Sequence, residues 1–319
     1  MRAPVDELDL VRRFYGEARE ADAAAQRRAR RALRGRYEVR PRRLHRLVAV
    51  AAALVMTVVG GIVLMPGGTT AQAARALQRF AVIATDLDLA AGGDPVVYER
   101  WELARTDGRT VVDSGDIYRF TVHSLREVWR TPGGAFEARE RIVGVDFVSS
   151  EDRDLWVAHG RVALPRAGDE TAVSADDLPL ADLGGLPSEQ VALLEAIRQR
   201  WRPDELNTDE HLLRAIGELL ARGDAAPALR ADLFRAAAQI PGIELLGTIR
   251  DPLDREGMGI ALGPPERRVT LIVDPNTSVL LSVEERFPLM GEVVSEWIAY
   301  SEWATVPEIG DRPDGSDVV

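Results

Sequence analysis

The sequence predicts an α+β domain with a largely antiparallel sheet, preceded by a short helical arm and one transmembrane helix. Three observations carry this: an uncharged apolar run over residues 47–65, a lopsided charge distribution around it, and strand-like, then helix-like, then strand-like patterning beyond it. Strands followed by helices and strands again favour an antiparallel sheet over the alternating order that builds a parallel one.

The arm covers residues 1–46, with 14 arginines against seven acids, a local charge of +7. The whole chain carries −11, so the remainder carries −18. All 40 basic residues are arginine. From Asp6 to about Arg34 the arm has helix-forming composition, acids early and arginines late, as the helix dipole prefers. Leu10, Val11, Phe14, Ala18 and Ala21 make a narrow apolar stripe, too thin to form a core alone, with Tyr15 beside its start. It is a candidate surface for a cytoplasmic partner; the plainer alternative is a solvated juxtamembrane helix whose arginines set topology and touch anionic headgroups. Direct nucleic-acid binding is not expected, because the charge abuts the membrane and no DNA-reading motif accompanies it.

Residues 47–65 form 19 uncharged positions, about 28 Å of helix at roughly 1.5 Å per residue, close to a bilayer core. Arg40, Arg42, Arg43, His45 and Arg46 precede the run and Pro66-Gly67-Gly68 closes it, so the positive-inside rule places the N-terminus in the cytoplasm and the rest outside the cell membrane. A buried core helix competes with this reading. So does a cleaved signal peptide, since Ala71-Gln72-Ala73 resembles a cleavage site, although both the arm and the run are long for one. Ala49, Ala53, Thr57 and Gly61 recur every four residues, a stripe on which a second membrane helix could pack to form a dimer; alanine-rich segments also produce such stripes by chance.

Residues 66–319 form the extracytoplasmic α+β domain. Residues 71–84 predict a first helix with Ala74, Leu77 and Ala81 on its apolar side. Val96–Leu103, Tyr118–Arg130 and Ala135–Val148 then read as strands, with turns at Asp107-Gly108 and Pro132-Gly133-Gly134. Residues 161–186 read as a loop or insertion. Helices follow at Ser188–Trp201, Thr208–Arg222 and about Ala226–Ile240, the last cut by Pro241-Gly242. Strands return at Ile243–Arg250, Gly257–Leu262, Val269–Val273, Val279–Phe287 and Glu292–Val306. Val269, Leu271 and Val273 share one face, as do Val279, Leu281, Val283 and Phe287, with Asp274-Pro275-Asn276-Thr277 turning between them. Beyond Pro307 the tail is polar and is expected to fray.

Catalytic chemistry finds little purchase. The chain has no cysteine, which removes disulfides, thiolate metal sites and thiol nucleophiles. His45, His123, His159 and His211 show no ligand spacing, and no nucleophile elbow, phosphate loop or dinucleotide fingerprint is present. Asp86/Asp88, Glu151/Asp152/Asp154 and Asp176/Asp177 are pairs that an acidic chain produces by chance. The six tryptophans read as core or sheet residues rather than a binding platform. No enzyme activity, metal or cofactor is expected.

The chain resembles a family of actinobacterial single-pass membrane proteins of uncharacterised function, often encoded beside extracytoplasmic-function sigma factors. The resemblance runs through Asp6-Glu7-Leu8 and Val11-Arg12, the arginine cluster before the apolar run, Pro95–Arg100, Arg126–Trp129, residues 226–262, Leu271–Asn276 and Ser282–Glu285. It implies a curved antiparallel sheet wrapped on helices, as in periplasmic lipoprotein-carrier and sigma-regulator sensor domains, and brings no catalytic residues. The function expected from it is a membrane-anchored sensor or regulator, with a sigma factor as the arm's partner. A cell-envelope ligand-binding or structural protein is the alternative, and an envelope hydrolase the third. An apolar groove without convergent ionisable groups favours binding; buried carboxylates with shifted pKa at its mouth favour an enzyme.

Overall fold

The computed structural model describes residues 70–86, 95–111, 114–131, 134–173, 183, 185–200 and 208–313. The arm with Leu10, Val11, Phe14 and Tyr15, and the apolar run with Ala49, Ala53, Thr57 and Gly61, lie outside the described residues. Among the described residues no helix is long and apolar enough to cross a membrane.

Helix α1 (Thr70–Ala84) precedes strands β1 (Val96–Thr110), β2 (Ile117–Arg130) and β3 (Phe136–Phe147). Helix α2 (Ser150–Ala158) and the short strand β4 (Glu170–Ala172) come next, then α3 (Gln190–Arg200), α4 (Asp209–Ala221) and α5 (Pro227–Ala237). Strands β5 (Glu244–Arg250), β6 (Glu256–Leu262), β7 (Arg268–Val273), β8 (Leu280–Leu289) and β9 (Glu292–Val306) complete the domain. The nine strands form one sheet in the order β4-β3-β2-β1-β9-β8-β7-β6-β5, antiparallel throughout. Two meanders, β1–β4 and β5–β9, therefore meet where β1 pairs with β9.

Helix α4 lies on β6, β7 and β8, while α5 packs on α1, α3 and α4. The close seat of α4 depends on Gly217: a Cβ there would stand 2.6 Å from Leu271 Cδ2 and 2.8 Å from Val283 Cγ2. Thr208 caps α4 by accepting from the His211 N–H, and Asp209 and Glu210 occupy its first turn. Its C-terminal carbonyls are satisfied by side chains. The buried Arg230 guanidinium donates to the Leu220, Arg222 and Ala225 carbonyls, and Trp303 Nε1 donates to Ala221 O at 2.7 Å.

The predicted helices and strands from residue 188 onward recur within a few residues of their expected ends. Several expectations in the first half and at the tail are corrected. Asp107-Gly108 is no turn: both residues pair with β2, opposite Phe120 and Arg119, and the chain reverses after Val111. Gly108 instead admits Met290, whose Sδ would lie 2.6 Å from a Cβ at that position. Helix α2 was not expected; Ser149 caps it, and its Asp152 accepts from Ser149 Oγ and from the Arg119 backbone N–H. The expected loop over residues 161–186 contributes β4 to the sheet.

Strand β8 does not keep a single face. Ile272 pairs with Ser282 but Val273 pairs with Leu280, so Leu281 is a bulge. Val283 stays under α4, whereas Leu281 turns toward Gly257. Arg255 occupies the bulged region, donating to the carbonyls of Leu281 and Tyr300 at 2.9 and 2.8 Å. Of the polar residues beyond Pro307, Asp311 and Arg312 are bonded to side chains of β2. Trp129 Nε1 donates to Asp311 O at 2.5 Å, beside the small buried cluster of Val96, Tyr98, Trp129 and Val306.

Candidate functional site

Register across the sheet assembles the site. Leu271 pairs with Val283, Val283 with Ile298, Ile298 with Leu103, and Leu103 with Ser124, giving an apolar row that crosses four strands and ends on a hydroxyl. Charged residues lie to either side of that row. Trp101 pairs with Arg126 and Arg126 with Glu140 on one side; on the other, Glu285 pairs directly with Glu296. Helix α4 brings Arg214 and Glu218 to the same place, and the enclosed cleft is about 280 Å³. That volume lies near the lower end of small-molecule pockets, roughly 300–1,000 Å³.

Seven ionisable side chains line the cleft: Arg105, Arg126 and Arg214 against Glu140, Glu218, Glu285 and Glu296. Glu140 is held by two arginines. Arg126 donates to its Oε2 from Nε at 3.0 Å and Nη2 at 2.5 Å, Ser124 Oγ donates to Oε1 at 2.8 Å, and Arg105 Nη2 also reaches Oε1. Burial alone would raise the Glu140 pKa, but Arg126 and Arg105 outweigh it and hold the carboxyl below its ordinary value. Arg214 bridges the other two paired acids, Glu218 from Nε at 2.9 Å and Glu285 from Nη1 at 2.5 Å. Against its own burial, these carboxylates raise the Arg214 pKa further.

Glu296 stands apart. Its Oε1 accepts from the Thr106 backbone N–H at 2.9 Å, and no arginine forms an ion pair with it among the described residues. Burial, with Glu285 alongside, raises its pKa against the opposing pull of the Thr106 N–H, Arg214 and Arg105. Across the Leu103–Ile298 row from it the wall includes Trp101, 2% exposed, whose indole N–H has no hydrogen-bond partner among the described residues and whose ring lies under the Arg126 guanidinium. Trp297 also lines the cleft. These two tryptophans are thus sheet residues, as expected, and cleft residues, which was not expected.

The histidines take side-chain partners instead of converging. His159 Nε2 lies 3.0 Å from Asp116, His123 Nε2 lies 3.3 Å from Asp146, and in the first turn of α4 His211 Nδ1 lies 3.3 Å from Thr208 Oγ1. Among the described residues no group of three or more His, Asp or Glu side chains could hold a metal ion. Asp152 of the acidic pairs is committed to capping α2 and to Arg119. Asp88, Asp176 and Asp177 lie outside the described residues.

None of the seven charged cleft residues was singled out from the sequence. One signal was present. Glu285 lies between Val283 and Phe287 on the alternating face of the strand, so an inward acid was legible there. Arg126 and Glu285 also fall inside the short stretches that carry the family resemblance, which were read as structural.

No protein-family model matches the sequence, and no curated protein matches it. Among solved structures the chain is similar to MucB, with 14% identity over 77% of this chain and a TM-score of 0.26; it spans 61% of the length of MucB. It is also similar to a DUF1329 family protein from Desulfovibrio piger ATCC 29098, with 11% identity, 75% of this chain, 95% of that one and a TM-score of 0.18. Likenesses this slight leave the function to be argued from the chain's own residues.

Proposed function

We propose that this chain is a single-pass membrane-anchored sensor whose extracytoplasmic domain takes a small ligand in the cleft between α4 and the sheet. The cleft is the observation that carries the reading. It combines an apolar floor, Leu103, Val283 and Ile298, with ionisable groups instead of the purely apolar lining expected of a binding groove, and the pairing of most of those groups with one another is what favours binding over catalysis. Binding there would bear on Arg214 and Glu218, and so on α4. The anchor over residues 47–65 and the +7 arm support the placement of this domain outside the membrane.

The arm's partner, on this reading, is a cytoplasmic sigma factor, engaged through Leu10, Val11, Phe14 and Tyr15. An isolated helix with a narrow apolar stripe gains stability by burying it against a partner. Dimerisation through Ala49, Ala53, Thr57 and Gly61 belongs to the same proposal.

Native mass spectrometry of the full chain, extracted in mild detergent, tests the reading. A bound small molecule is expected, lost when Val283→Trp fills the cleft, and a reporter fused after Val319 should read outside the cell. Absence of any bound species, with the reporter in the cytoplasm, would remove both halves of the proposal. A pull-down of an extracytoplasmic-function sigma factor with the arm should succeed, and fail with Leu10→Asp/Phe14→Asp. Equal capture by both leaves an envelope ligand-binding or structural protein.

A hydrolase reading would rest on Glu296, whose pKa burial raises. It lacks a companion base. The other three carboxylates of the cleft are each engaged by arginine, which suits binding better than proton transfer.

A further inference from the structure

Among the described residues the cleft is one positive charge short. Four carboxylates face three guanidiniums, and the three guanidiniums are committed to Glu140, Glu218 and Glu285. Glu296 is left with a backbone N–H, directly across the strand pair from Glu285. Like charges opposite one another in an antiparallel pair repel, so this position stabilises the fold least when both are ionised. Whatever supplies a cation at Glu296 relieves that repulsion and gains a charge-assisted hydrogen bond in a half-buried setting.

A second group in the wall points to the same occupant. Among the described residues the indole N–H of Trp101, which lines the cleft, is buried and without a partner, and an acceptor on a ligand would offset its desolvation. Between Glu296 and Trp101 run Leu103 and Ile298, which suit an aliphatic segment. From these features we propose that the cleft binds an organic ammonium ion, its nitrogen at Glu296, a short aliphatic stem over Leu103 and Ile298, and an acceptor atom facing Trp101. The inference rests on the cleft being a binding site, and adds the charge and class of what binds. Arg214 and Arg105 also face Glu296, so a small, directional ammonium fits better than a diffuse polycation.

Two sources share this chemistry, a free amine and an amine-bearing lipid headgroup. The competing occupant is a proton on Glu296. Calorimetric titration of the full chain in phosphatidylcholine nanodiscs with hexylamine, hexanol and hexanoate separates these. Hexylamine is expected to bind, hexanol and hexanoate much more weakly, and Glu296→Gln should weaken hexylamine by about tenfold or more, the loss of one charge-assisted hydrogen bond. Nanodiscs containing phosphatidylethanolamine should block hexylamine if the headgroup is the source and leave it unchanged if a free amine is. Hexanoate binding as tightly as hexylamine, or a Glu296→Gln chain that still melts cooperatively and binds hexylamine undiminished, would overturn the ammonium assignment. Val283→Trp separates that failure from failure of the cleft itself. If hexanoate or hexanol binds and Val283→Trp abolishes it, the cleft stands and only its ligand class is wrong. If binding survives Val283→Trp, or if none of the three probes binds, both readings fall.

Discussion

Arg312 grips Glu127 with a two-pronged contact, Nε to Oε1 at 2.6 Å and Nη2 to Oε2 at 2.7 Å, across 185 residues of sequence. Tyr98 donates its hydroxyl to the same Oε1 at 2.8 Å, and Trp129, in contact with the Tyr98 ring, donates to the backbone of Asp311. A segment of unremarkable polarity is thereby tied over a small aromatic cluster on the sheet. Two planar hydrogen bonds between matched groups are what arginine offers a carboxylate and lysine does not.

Removing the contact should therefore loosen the tail more than it unfolds the domain. Arg312→Ala is expected to cost about 1 kcal/mol, since Arg312 is partly exposed and water screens the pair. Arg312→Lys should recover only part of that. Urea melts give the energies, and near-UV circular dichroism should show the loss of order around Tyr98 and Trp129 before the main transition.

Much of this fold was legible, and the reason differs from element to element. The β7–β8 hairpin announces itself by alternation on both sides of Asp274-Pro275-Asn276-Thr277, and α4 by its apolar period between Thr208 and Gly223. Helix α2 has a weak apolar face, and its one strong signal is Ser149 three residues before Asp152, a capping pair that was passed over in favour of counting acids. The cleft was the least legible part. Arg214 meets Glu285 across 71 residues of sequence, and no local window holds that contact. The Leu281 bulge is equally invisible to strict alternation, because one extra residue exchanges faces for everything beyond it.

Gly217 links the helix layer to the cleft floor, since one of the two side chains that a Cβ would strike, Val283, also lines the cleft. Gly217→Ala gains helix propensity worth about 1 kcal/mol but drives a methyl into Leu271 and Val283. Overpacking in a formed core costs roughly 1–3 kcal/mol, so the expected result is net destabilisation and a displaced α4. Pairing it with Val283→Ala should restore part of the loss. A double-mutant cycle by chemical denaturation measures this; additive effects would show that α4 is not seated on Val283.

Arg230 presents a sharper case. Its guanidinium is buried and donates to three backbone carbonyls around the end of α4, where a cation also opposes the helix dipole. Arg230→Met preserves much of the volume and leaves those carbonyls without this donor, with an expected loss of about 3 kcal/mol. Lysine in its place carries the charge without the planar fork and should rescue less than half. Because α4 also holds Arg214 and Glu218, amide exchange in α4 should rise in both variants.

Opposite pH dependences at Glu140 and Glu296 provide the most demanding test of the cleft's electrostatics. Arg126 and Arg105 hold Glu140 below the ordinary 4.5, so its ionised form stabilises the fold above the unfolded value, and that stabilisation is lost as pH falls through the lowered folded value. Glu140→Gln should thus cost about 3 kcal/mol near neutral pH, the order expected when a buried ion pair loses one partner, with the gap to the parent closing in acid below about 4.5. At Glu296 the sign reverses. Its pKa is raised above 4.5 by burial and by Glu285, so the folded state favours the protonated form, and ionisation costs stability as pH climbs through the raised value. Glu296→Gln removes that cost, keeps an oxygen for the Thr106 N–H, and should gain stability relative to the parent as pH rises from acid to neutral. Denaturant melts of the two variants across this range should diverge from the parent in opposite directions. Parallel curves would mean that the carboxylates share a common environment, and that Glu296 is not the one left without a cation.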